Sequence, residues 1–245
     1  MESYFSPPSF VWFSATTKLA KSVGPITWDP AFSDPSFIFS GNKKTVNRRV
    51  CSGSEPQYPK AISFRPINVQ GNSTHAFLLK GHGLIGICCA RSKEALFEDF
   101  NKASGDAKFL GTYITKRGNE LTQSWEASMI STRHNTHYSY SKMTRRWSAT
   151  GPRITQLPSY EKSEKDDLKG PPEKAGLLCE LRVYSACIQW HLEGKLVASF
   201  QFTKPAMGVS SFYLVYSNDS RTAGVKSIVP PLSTQQEDNN EAEPY

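Results

Sequence analysis

The stretch that decides the fold is LLCELRVYSACIQWHLEGKLVASFQFT, from Leu177 to Thr203. Apolar residues alternate with polar ones at Leu177, Cys179, Leu181, Val183, Ala186, Ile188, Trp190, Leu192, Leu196, Ala198, Phe200 and Phe202. A period of two is typical of half-buried antiparallel strands. The alternation changes phase near Ser185, which predicts a bulge or a tight turn at that point.

One earlier segment, SKEALFEDFNKASG, has the pattern of a helix. Ser92 is a suitable N-cap and Gly105 a suitable residue for the helix to end at. The apolar face between them consists of Leu96, Phe97, Phe100 and Ala103. The predicted fold class is therefore α+β, mostly antiparallel β-sheet with one main helix at about residues 92–104.

The 245 residues suit one large domain or two small ones. Residues 1–40 are rich in Pro, Ser and Phe and predict a flexible arm, because prolines interrupt regular structure. Residues 229–245 are polar and acidic, which predicts a disordered tail. Between them we expect a single core domain, residues 41–228, with a mobile polar loop at 161–174.

Charge and cysteine content restrict the class of partner and of site. The net charge is +7, which favours an anionic partner, either phosphate backbone or acidic lipid. The five cysteines include no CxxC pair, so neither a disulfide framework nor a zinc site is predicted. The N-terminus lacks a signal-peptide pattern, and no apolar stretch reaches the ~18 residues of a membrane span. We therefore expect a protein that is not secreted and whose membrane contact is peripheral.

Two motifs suggest chemistry at first sight. Gly81, Gly83 and Gly86 match GxGxxG, but the apolar run continues as a strand, so we expect a hairpin turn instead of a dinucleotide site. His134 and His137 lie three apart in a segment of strand-like composition, where they would point to opposite faces. No Cys or carboxylate lies nearby in sequence to complete a metal site, so only a distant residue could complete one, and no metal site is predicted. With no nucleophile or metal motif elsewhere, the chain is predicted not to be an enzyme and to need no cofactor.

The basic residues form two clusters. The first is KKTVNRR, and the second lies in Ala127–Tyr160, which contains no acid. Interleaved Tyr138, Tyr140 and Trp147 could stack on bases, and the same mixture also suits a phospholipid headgroup layer. The candidate membrane- or nucleic-acid-binding residues are Lys43, Lys44, Arg48, Arg49, Arg133, Lys142, Arg145, Arg146, Trp147 and Arg153.

A short motif follows the second cluster. LPSYEK resembles PPxY, with Leu157 in place of the first proline and with Pro158 and Tyr160 retained. Proline and tyrosine at this spacing can dock in the aromatic groove of a WW domain. A host WW-domain protein is therefore a predicted partner.

The order of these features resembles the matrix proteins of rhabdoviruses and related negative-strand RNA viruses. The resemblance covers roughly residues 76–202 and rests on HAFLLKGHGLIGICCARSKEALFEDF, on THYSYSKMTRRWSATGP and on LLCELRVYSACIQWHLEGKL, followed by the acidic tail. It departs from the family near the N-terminus, where MESYFSPPSF has no lysines and no true PPxY.

The resemblance implies a structural protein of the virion. Such a protein would lie beneath the envelope, bind anionic membrane lipid, condense the nucleocapsid or its RNA, associate with itself and drive budding. The expected location is the virion, the host cytoplasm or nucleus, and the inner face of host membranes. The alternative is a viral single-stranded nucleic-acid-binding protein of the movement or silencing-suppressor type.

Overall fold

The computed structural model describes residues 21–22, 24–48, 59–81, 83–104, 124–132, 136–143, 146–150, 176–185, 187–209, 211–218 and 223–230. In chain order the elements are β1 (Lys21–Ser22), β2 (Trp28–Asp29), β3 (Phe37–Ser40), β4 (Thr45–Arg48), β5 (Lys60–Ser63), β6 (Ser73–Lys80), β7 (Gly83–Ala90), α1 (Lys93–Ser104), β8 (Ser124–Ser131), β9 (Thr136–Ser141), β10 (Arg146–Thr150), β11 (Leu177–Tyr184), β12 (Cys187–Leu192), β13 (Lys195–Gln201), α2 (Lys204–Val209), β14 (Ser211–Asn218) and β15 (Gly224–Ile228). A short 3-10 helix at Pro30–Phe32 follows β2.

The strands form two sheets. The eight-stranded sheet has the order β13-β12-β11-β6-β15-β4-β3, and β1 pairs with one end of β6. The seven-stranded sheet has the order β10-β9-β8-β7-β14-β5-β2. Every described pairing is antiparallel except that of β1 with β6.

The stretch that decides the fold forms β11, β12 and β13, joined by two tight turns. The phase change predicted near Ser185 is the first turn, where Ser185 has a φ of 41°. The second turn places Glu193 and Gly194 at φ values of 48° and 75°. Two consecutive left-handed residues match the twist of a hairpin.

The two sheets pack face to face around one apolar cluster. Trp190 and Leu181 of the eight-stranded sheet meet Ile87 and Leu214 of the seven-stranded sheet in this cluster. A second cluster covers the outer face of the seven-stranded sheet, where Leu96 of α1 is fully buried. The seven-stranded sheet is therefore buried on both faces, which accounts for the unbroken apolar run of β7.

The predicted α+β class is wrong, because the molecule is a β-sandwich. A helix does occupy Lys93–Ser104, but its contacts are with the outer face of one sheet. The main buried interface lies between the sheets, as in sandwiches generally. The sequence shows the apolar face of the helix, but it does not show how the strands divide between two sheets.

The hairpin predicted around Gly81 is also wrong. β6 belongs to the eight-stranded sheet and β7 to the seven-stranded sheet, so this turn carries the chain from one sheet to the other. Gly81 has a φ of 66°, and Gly86 lies so close to Met129 that a Cβ would be 2.3 Å from its Cγ. The glycines thus serve a turn and close packing.

Part of the predicted N-terminal arm lies in the sandwich. Trp28 is fully buried in β2, and Phe37 of β3 packs against Tyr216 with ring centroids 6.0 Å apart. Residues 1–20, the predicted loop 161–174 and residues 231–245 of the predicted tail lie outside the described residues.

Candidate functional site

Lysines collect on the outer surface of the eight-stranded sheet, near its β3 edge. Val225 of β15 is buried in the core, so the alternating neighbour Lys226 faces outward. Lys226 is paired with Thr45 of β4 on one side and with Leu78 of β6 on the other. Lys80 is paired with Gly224, so Lys80 and Lys226 are diagonal neighbours on one face, with Cα atoms ~7–8 Å apart.

A third lysine is presented by the turn between β3 and β4. Lys43 is exposed, as are Lys80 and Lys226. We call these three residues the lysine face. No Asp or Glu occurs in β3, β4, β6 or β15, or in the turn at 41–44. The face therefore carries positive charge without an acidic residue on its own strands.

The backbone of the turn is unusual. Gly41, Asn42 and Lys43 have φ values of 58°, 54° and 63°. Lys44 N donates to Gly41 O at 3.2 Å, which closes the turn. A left-handed conformation is unfavourable for a lysine, whose Cβ then crowds the backbone.

Two backbone hydrogen bonds hold the turn in place. Trp28 N, in the seven-stranded sheet, donates to Lys43 O at 2.8 Å, and Ser227 N donates to Lys44 O at 2.9 Å. The position of Lys43 is thus fixed by both sheets.

Exposed aliphatic side chains lie at the margins of the lysine face. Ile38 is 45% exposed and lies opposite Asn47 on the outward side of β3. Val229 is 61% exposed and directly follows β15. The outward Ile38 thus places an aliphatic side chain on the same sheet surface as Lys80 and Lys226.

The first predicted cluster only partly coincides with the lysine face. Lys43 belongs to it, while Lys44 and Arg48 are half-buried and Arg49 lies outside the described residues. Sequence reasoning missed Lys80 and Lys226, because they are far from the cluster in the chain. The sequence did contain a signal for them: each lysine directly follows an apolar residue in a strand-like segment without acids, so each should face away from the core.

The described part of the second cluster lies at the other end of the sandwich. β10 and β9 end the seven-stranded sheet, whereas the turn at Lys43 is bonded to β2 at its opposite end. Five strand spacings separate β10 from β5, a distance of ~24 Å. The described residues of the two basic clusters therefore do not form one surface.

Few side chains of the second cluster are described. The ammonium group of the half-buried Lys142 lies 4.9 Å from the ring centroid of Trp125. Arg146 and Trp147 are in β10, but their side chains are not described. The predicted residues outside the described ones are Arg49, Arg133, Arg145, Arg153, Leu157, Pro158 and Tyr160.

The predicted base-stacking platform is not available on the described tyrosines. Tyr140 is 1% exposed and Tyr138 is 8% exposed, and both pack in the cluster beneath α1. The prediction that these two rings stack on bases is therefore wrong. Their alternation in THYSYS marks a second buried face of the sheet.

His137 is also buried. Its Nε2 lies 2.8 Å from Ser128 Oγ, and burial lowers the pKa of the imidazole to about 4. Within the described residues, no group of three His, Cys, Asp or Glu side chains is placed to hold a metal ion. The two α-helices and the 3-10 helix in the described part of the chain are all too short to cross a membrane.

No protein-family model matches the chain, and no curated protein matches it. Among solved structures, it is similar to the PSpry domain of TRIM65, with 13% identity, 84% of this chain and 90% of that chain covered, and a TM-score of 0.46. It is also similar to stonustoxin, with 8% identity and a TM-score of 0.45; the match covers 83% of this chain and 27% of that chain. A third similar structure is the carbohydrate-binding module CBM66 from Bacillus subtilis, with 11% identity and a TM-score of 0.39; the match covers 85% of this chain and 97% of that chain. The resemblance to rhabdovirus matrix proteins rests on the order of sequence features alone.

Proposed function

We propose that this chain is a non-catalytic binding protein that attaches peripherally to anionic membrane surfaces through the lysine face. The observation that carries the proposal is that the exposed Lys80 and Lys226, from distant parts of the chain, are diagonal neighbours on the outward face of one sheet. The exposed Lys43 lies in the turn beside them, and the strands that present these lysines contain no acid. The outward acid of the neighbouring strand β11, Glu180, is ion-paired with Arg182. Anionic lipid attracts such a surface over a Debye length of ~8 Å at physiological salt.

The chemistry of the face favours lipid over single-stranded nucleic acid. Binding of single strands normally combines charge with exposed aromatic rings on which bases stack. The outward positions of β3, β4, β15 and β6 hold no aromatic residue; the largest apolar groups there are Ile38, Leu78 and Ile228. Lysine is also a compact point charge, which suits the diffuse potential of a headgroup layer.

The expected affinity of one copy is modest. Each lysine near an anionic membrane contributes ~1 kcal/mol, so three contribute ~3 kcal/mol. Attachment at this level is reversible and sensitive to salt. Several copies on one surface would bind far more tightly, because each further contact is intramolecular.

A matrix-type role in a virion would use such attachment. Nucleocapsid condensation, self-association, budding and docking to a WW-domain protein are parts of that role which the resemblance alone supports. The proposed membrane attachment is independent of them and can be tested alone.

The test compares two anionic partners under the same conditions. We expect the protein to co-sediment with phosphatidylcholine vesicles that contain phosphatidylserine, and not with pure phosphatidylcholine vesicles. Binding should be lost as salt rises from ~0.05 to ~0.5 M, because screening shortens the Debye length. Failure to bind the anionic vesicles, together with a salt-sensitive shift of polyuridylate RNA, would instead support the nucleic-acid alternative.

A further inference from the structure

The chain leaves the described fold beside the lysine face. β15 carries Lys226, and Val229 and Pro230 follow its last residue. Ser227 of the same strand is hydrogen-bonded to the turn that presents Lys43, through its donation to Lys44 O. Pro230 therefore lies three residues beyond the hydrogen bond that ties β15 to the Lys43 turn.

The residues that follow are acidic. We call residues 231–245, PLSTQQEDNNEAEPY, the acidic segment. It contains Glu237, Asp238, Glu241 and Glu243, and no Lys or Arg follows Lys226 in the chain. The other acid-rich stretch, residues 161–174, has five acids and four lysines, a net charge of only −1. The acidic segment is thus the part of the chain most complementary to the lysine face.

The chain is long enough for the two to meet. Lys226 lies four residues before Pro230, ~13 Å back along the strand direction. Glu237 lies seven residues beyond Pro230, a span of up to ~23 Å when the chain is extended. Lys80 is opposite Gly224, six residues before Pro230, so it lies ~20 Å back along the strand direction and ~5 Å across the sheet, still within that span.

We propose that the acidic segment docks on the lysine face of its own chain and competes there with anionic lipid. Because the segment is tethered, its effective concentration at the face is in the millimolar range or above, without any need for a large interface. The docking is argued from the opposite charges of the acidic segment and the lysine face, and from the position of Pro230, after which the segment begins. Its consequence, weaker membrane attachment, rests on the proposed function.

The docking is tested without lipid by zero-length cross-linking of the full chain with a carbodiimide, which joins a carboxylate to an adjacent amine. We expect amide links from Glu237, Asp238, Glu241 or Glu243 to Lys43, Lys80 or Lys226, lost at high salt. Links from the acidic segment spread equally over the exposed Lys195 and Lys204 would overturn the docking. So would links to the lysine face that come mainly from residues 161–173.

The competition is tested with two full-length variants of equal charge. Glu237→Gln/Asp238→Asn removes two acids from the segment, and Glu94→Gln/Glu98→Gln removes two exposed acids from α1. We expect the first to raise binding to phosphatidylserine vesicles several-fold and the second to change it less than twofold. Equal effects would mean that only net charge matters and would overturn the competition. If no variant binds vesicles, the proposed function fails, while the cross-links still decide the docking.

Discussion

The indole Nε1 of Trp190, in the eight-stranded sheet, donates a 3.0 Å hydrogen bond to Ser128 Oγ, in the seven-stranded sheet. Because Ser128 Oγ accepts from Trp190, its single proton is available for His137 Nε2, 2.8 Å away. All three side chains are buried. A polar chain therefore crosses the apolar interior and fixes how one sheet lies on the other.

Replacing Ser128 with alanine should leave the Trp190 N–H without a partner in the interior. We expect Ser128→Ala to lower the free energy of unfolding by ~1–3 kcal/mol, measured by urea denaturation. Ser139→Ala is the matched control. Ser139 is paired with Ser128 but is half-buried, with only an exposed 3.3 Å contact to Ser148. Similar losses for both variants would contradict a specific role of the inter-sheet bond.

Stability should depend on pH through the buried histidines. Burial lowers the pKa of His75 and of His137 from 6.5 to about 4. The unfolded chain binds protons at these residues first, so the free energy of unfolding should fall as pH drops from about 6.5 towards 4. Urea denaturation at pH 7 and pH 5 measures the loss. We expect His137→Gln to reduce this dependence, and an unchanged dependence would mean that His137 does not titrate as described.

Close packing at Gly86 should make it intolerant of a side chain. A Cβ there would lie 2.3 Å from Met129 Cγ and 2.9 Å from Ser128 O. We expect Gly86→Ala to destabilise the fold by ~1–3 kcal/mol, as overpacking does. In Gly208→Ala, at a helical position where a Cβ would meet nothing within 4 Å, stability should be unchanged or higher. Thermal unfolding of both variants provides the comparison.

The sequence predicted local structure better than architecture. The alternation in Leu177–Thr203 and the caps around α1 each depend on neighbouring residues, and strands and a helix lie there. The assignment of β6 and β7 to different sheets depends on contacts between distant residues. The buried Tyr138 and Tyr140 show the same limit, since period-two alternation does not reveal whether the polar-looking face is itself covered.

The strain at Lys43 predicts opposite effects on stability and binding. Glycine adopts φ of 63° without cost, so Lys43→Gly should raise the free energy of unfolding by ~1 kcal/mol. It should also weaken vesicle binding, because one of three lysines is lost. Asn42→Gly, at φ of 54°, is the control and should leave binding unchanged. Both properties are read from the same preparations, by urea denaturation and by co-sedimentation.

The candidate site was only partly predictable. Lys43 stands in a visible run of basic residues, so composition was enough to find it. Lys80 and Lys226 are single lysines in apolar strands, 146 positions apart in sequence number (226 − 80), and only the register of β6 with β15 brings them together. The run at 133–153 looked stronger by charge, yet its described residues in β9 and β10 lie at the far end of the sandwich.

The most direct test of the account is the binding of full-length Lys80→Glu/Lys226→Glu to vesicles that contain phosphatidylserine. The control is Lys195→Glu/Lys204→Glu, which reverses two exposed lysines outside the lysine face. Both variants change the net charge equally, so any effect of net charge alone on attraction to the anionic vesicles is the same in both. At ~1 kcal/mol for each lysine lost, we predict at least a ~30-fold loss of binding for the first variant and a loss of twofold or less for the second. Equal binding by the two variants would contradict the proposal that the lysine face holds the membrane.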